Sequence, residues 1–222
     1  KVRAANEELQ ELVKIQPKHS ILHYNLALTY AQMGDMVNAH DSFVRSYHLD
    51  AKNYLSGIFA VMTSQLVDKE NMKMKSILTE SINQEEPSET IALYKTLLKI
   101  ANDNVISAID WLDNQYKQRP LYLALNVIIG IDLNRYDYAQ DAAKKLTTLL
   151  PDDIVPHMMH IDAFFYEFND EKYARSVINY LKNIKLHFQD LYFGPYISRY
   201  LYVQQSLITG RLYFLREKLK NK

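Results

Sequence analysis

The chain has 222 residues, 26 basic and 26 acidic, so it lacks the basic excess with which a dedicated nucleic-acid binder displaces counterions from phosphates. Only 5 Gly and 6 Pro leave little room for the turns of a β-sandwich, and 48% hydrophobic residues are enough to bury a continuous helical core. Cysteine is absent, which excludes disulfides, cysteine nucleophiles and thiolate metal sites and tilts toward an extracytoplasmic compartment.

Residues 1–8 are charged and helix-forming, unlike a signal peptide, and no apolar run approaches the roughly 20 residues of a membrane span. Ala5, Leu9 and Pro17 are followed 34 positions later by Ala39, Phe43 and Ala51. A period of that length marks a helical repeat array. Because the opening residues carry only the second half of the pattern, the chain is expected to start mid-repeat, with a signal or membrane anchor upstream. Leu26 and Tyr30 share one face of a helix that Gly34 ends, since glycine enters a left-handed cap without steric cost.

The spacing then predicts helices over 54–65 and 72–82, with Lys73 in the small-residue position, and a polar loop over 83–88 in which Ser88 caps the next helix. A unit over 89–120 places Ala108 and Leu112 on its second helix. Ala139, Ala143, Leu146 and Pro151 mark the following unit, with the stretch from Asn134 to Asp137 replacing the glycine turn. From Ile154, Phe165, Asn169, Asp170, Ala174, Ile178 and Leu181 supply another. A longer connection over 187–195 leads to helices at about 195–207 and 211–220, and the basic excess over 211–222 suits a solvated terminal helix. The small positions Ala5, Ala39, Lys73, Ala108, Ala139 and Ala174 thus recur in steps of 31 to 35.

Leu26, Ala27, Tyr30, Gly34, Ala39, Phe43 and Ala51 together resemble the signature of the tetratricopeptide repeat family, with His23 at the usual Trp position, Ser46 at the second small position and Ala51 at the usual Pro. The resemblance implies an all-α fold, a right-handed superhelix (α-solenoid) of about six antiparallel helix pairs. It treats 1–222 as a single domain, with clearest repeats at 20–53, 120–153 and 155–187 and capping helices at about 195–220. In that family the first helices line the inner groove. Here the corresponding stripe is Ile21, Tyr24 and Leu28, then Leu55, Ile58 and Met62, then Ile91, Tyr94 and Leu98, which is either an exposed partner-binding groove or part of the inter-repeat core. A two-carboxylate clamp for acidic chain ends is incomplete, because Asn25 matches it but Phe59 and Lys95 stand at the later positions.

Tyrosine accounts for 17 residues, and Tyr192, Tyr196 and Tyr200 at i, i+4, i+8 form either terminal packing or an aromatic docking patch. His157 with His160, and His19 with His23, share helix faces without the Glu of a metalloprotease motif, and read as ordinary histidines rather than metal ligands. Asp152 with Asp153, and Glu85 with Glu86, fall at helix starts or loops, where carboxylates cap. The expected function is a protein–protein scaffold without catalysis, cofactor or metal. Its partners are proteins, with no nucleic acid and no membrane span, and a self-assembling module with repeat-end stacking or a regulatory domain of a larger enzyme is the alternative. The Tyr-, Asn- and Lys-rich units are similar to periplasmic tetratricopeptide scaffolds of bacterial flagellar motors of the paralysed-flagella type, which leans toward the periplasm.

Overall fold

A computed structural model describes residues 2–102, 105–112 and 119–185. All regular elements among them are helical. The chain divides into two compact units, Lys1–Ala108 and Ile109–Lys222. The first holds α1 (Val2–Ile15), α2 (Ser20–Gln32), α3 (Met36–Leu49), α4 (Tyr54–Leu66), α5 (Met72–Gln84) and α6 (Glu89–Ala101), followed by a short 3₁₀ helix at Val105–Trp111. The second holds α7 (Pro120–Asp132), α8 (Tyr136–Leu149), α9 (Ile154–Phe165) and α10 (Asp170–Leu181). Within each unit every helix packs on its chain neighbour, and α4 also meets α6, as α7 meets α9. No described helix is long and apolar enough to cross a membrane.

The helix ends are set locally. His19, Asp35, Asn53, Asn71, Ser88, Asp153 and Asn169 each accept a first-turn backbone N–H through the side chain, each worth about 1 kcal/mol. Pro120 opens α7 at the first helical position, where its missing N–H costs nothing. Three helices end on one design. Gly34, Asp68 and Asn134 have φ of 80°, 52° and 56°, and the next N–H returns to a carbonyl five residues back: Asp35 to Tyr30, Lys69 to Ser64, Arg135 to Gly130. Asn134 therefore does replace the glycine, because a short polar side chain tolerates the left-handed conformation.

The predicted close contacts hold at Ala27, Ala39, Ala139, Ala143 and Leu146, all fully buried. Others shift. Ala5 is exposed and Asn6 faces inward. Lys73 is exposed, and Met74, Leu78 and Ile82 form the buried stripe of α5. The register slips by one residue after α4: Met74, Leu78 and Ile82 lie 35 positions after Ala39, Phe43 and Tyr47, a turn of about 100° relative to a strict 34-residue repeat. In α10 the inward residues are Tyr173 and Val177, while Ala174 is half-buried and Ile178 exposed. Ala108 and Leu112 are buried, but Ala108 lies in a 3₁₀ helix rather than an α-helix, with Leu112 just beyond it.

Candidate partner-binding surface

The first-helix stripe is mostly interior. Leu28, Leu55, Ile58, Met62 and Leu98 are buried. Tyr24, Ile91 and Tyr94 are half-buried, and Ile21, 49% accessible, is exposed. These residues do not form an open apolar groove; most fill space between helices. Tyr24 sits in an aromatic triangle with Phe43 (6.0 Å) and Phe59 (6.4 Å), whose rings are 5.4 Å apart, so α2, α3 and α4 meet through it. Tyr94 meets Tyr54 edge-on at 6.0 Å, joining α6 to α4. Ring pairs of this kind add about 0.5–1.5 kcal/mol beyond area burial. Tyr192, Tyr196 and Tyr200, and the predicted helices after 187, lie outside the described residues.

A polar contact that the apolar pattern does not reveal repeats across the seams between helix pairs. Asn6 on α1 donates Nδ2–H to the Thr29 hydroxyl on α2 at 2.8 Å. His40 on α3 donates Nδ1–H to the Ala60 carbonyl on α4 at 3.1 Å, with the Thr63 hydroxyl also 3.1 Å from that nitrogen. Gln140 on α8 donates to the Ala163 carbonyl on α9 at 3.2 Å. Each donor directly follows a small position, Ala5, Ala39 or Ala139, and Thr29, Thr63 and Ala163 each lie 23 residues beyond their donors. That adjacency was the available sequence signal. Burial lowers the pKa of His40, although the Ala60 hydrogen bond opposes the shift.

The histidines singled out by spacing are engaged within the fold. His19 caps α2 through Nδ1, which accepts from Leu22 N–H. His23 Nε2–H donates to the Pro17 carbonyl at 3.0 Å, and His157 Nε2–H to the Pro151 carbonyl at 2.7 Å. With Nε2 protonated, His157 Nδ1 accepts from the Tyr180 hydroxyl at 2.8 Å. His160 is stacked against Phe164 at 4.2 Å and Tyr180 at 4.7 Å, and burial, followed by the nearby His157 and Lys144, pulls its pKa down to about 4. Burial also pushes Tyr180 up to about 12. Among the described residues no three His, Asp or Glu side chains are grouped to hold a metal ion.

The acidic pairs behave differently from one another. Asp153 caps α9 by accepting from Val155 N–H at 3.0 Å. Glu85 follows α5 and accepts from Lys52 and the Tyr54 hydroxyl, which lower its pKa, so it ties the α3–α4 turn to the end of α5.

No protein-family model matches the chain, and no curated protein matches it.

Proposed function

We propose that this chain is a protein-interaction scaffold, built of tetratricopeptide-like helix pairs that stack as a right-handed superhelix and hold segments of other proteins. The repeated seam contact carries the reading: Asn6 and Thr29, His40 and Thr63, and Gln140 and Ala163 meet at equivalent positions, through a threonine hydroxyl in the first two and a backbone carbonyl in the third. Arrays of this kind bury each pair against the next and offer a long surface for recognition. Because most of the first-helix stripe is consumed in packing, the anchors belong to exposed apolar side chains such as Ile21 and Val37. A few such anchors, rather than total area, set affinity. The residue pattern's likeness to periplasmic scaffolds of flagellar motors makes a bacterial envelope assembly the proposed setting.

The immobilised chain should retain a defined partner saturably from an envelope extract. Ile21→Asp should weaken retention by about tenfold, equivalent to 1.4 kcal/mol, with the melting temperature unchanged. If the wild-type chain retains nothing saturably, the scaffold reading fails; equal retention by the variant removes Ile21 as an anchor.

A further inference from the structure

A groove runs along one face of α5 to the end of α6, in two adjoining clefts of about 270 and 530 Å³ that share Thr79, Asn83 and Asn102. Lys75 lines it from α5, and Lys95 and Lys99 from α6, with Glu80 the one carboxylate on its walls among the described residues. Lys99 also donates to the Ser107 carbonyl at 2.5 Å, which leaves further N–H donors on the same ammonium.

We infer that this groove binds an acidic, extended segment of a partner protein. Carboxylate side chains complement the three lysines, and the Thr79, Asn83 and Asn102 side chains that line the clefts can pair with the peptide backbone. The groove recognises internal acidic residues along a helix face and needs no chain terminus. This inference rests on the scaffold reading and names the chemistry of one partner segment.

The test uses the whole chain and a fluorescein-labelled peptide of alternating Glu and Ser, with its Lys-Ser counterpart and an oligothymidylate as competing probes. The Glu-Ser peptide should bind with an affinity that falls as salt rises, and Lys75→Glu with Lys95→Glu should weaken it by about tenfold or more. The inference is overturned if the Glu-Ser peptide fails to bind, if the lysine reversals leave its affinity unchanged, or if the oligothymidylate or the Lys-Ser peptide binds more tightly. A partner held equally by wild type and the lysine variant would remove the groove and leave the scaffold reading standing, whereas no partner at all removes the scaffold reading.

Discussion

His40 places Nδ1 3.1 Å from the hydroxyl of Thr63, across the seam between one helix pair and the next. Asn6 and Thr29 stand in the same relation 34 positions earlier, at 2.8 Å. Imidazole and carboxamide thus fill one role, since each offers a planar N–H to a threonine hydroxyl at the same position of the next helix.

The seam contact predicts coupling. A double-mutant cycle with His40→Ala and Thr63→Val, read by urea unfolding, should return an interaction energy of about 1 kcal/mol. Asn6→Ala with Thr29→Val should give the same sign. Strict additivity in both cycles would mean that the repeated geometry carries no energy.

Acid should loosen the second unit through His160. Its pKa is about 4 in the fold against 6.5 for the free side chain, so the unfolded chain takes up the proton first as pH falls. The stabilisation is complete above pH 6.5, declines below it, and is lost once pH has passed through about 4. For this partly accessible ring the effect is on the order of 1 kcal/mol after solvent screening. His160→Phe should flatten the dependence of stability on pH between these values, leaving the smaller slope that His40, also lowered, contributes with the same sign. An unchanged slope in the variant would refute the assignment.

Two glycines should respond differently to alanine. At Gly130 an added Cβ would lie 3.0 Å from both Cβ and N of Ala139 and 3.1 Å from the Arg135 carbonyl oxygen, atoms tied to the backbone, so Gly130→Ala should cost about 1–3 kcal/mol. At Gly34 nothing lies within 4 Å, but φ is 80°. Gly34→Ala should cost about 1 kcal/mol from the left-handed backbone alone. Gly34→Asn should cost less, because Asn134 already occupies the equivalent turn. Thermal melting of the three variants checks the order.

Where local chemistry decides, the reading from sequence agrees with the structure. Ser88, read as the cap after the polar loop over 83–88, does cap α6. A helix read at 54–65 is Tyr54–Leu66. The candidate groove was less legible. Leu28, Ile58 and Leu98 have the spacing of an exposed stripe and of a buried one alike, and apolar periodicity cannot distinguish them without the neighbouring helices. Lys73 and Ala174 were placed by counting from one repeat to the next, which fails when a loop gains residues or the step changes by one.

Sequence alone determined the helical class, the Ser88 cap, and the turns at Gly34 and Asn134, because each depends on hydrogen bonds and steric limits within a few residues. Only the tertiary structure decided which faces are covered. A one-residue slip after α4 turned Met74 inward and Lys73 out, and the helices packed around α4 left Ile58 inaccessible to solvent. Burial depends on how separate helices approach, and that distance is set by side chains far apart in the chain.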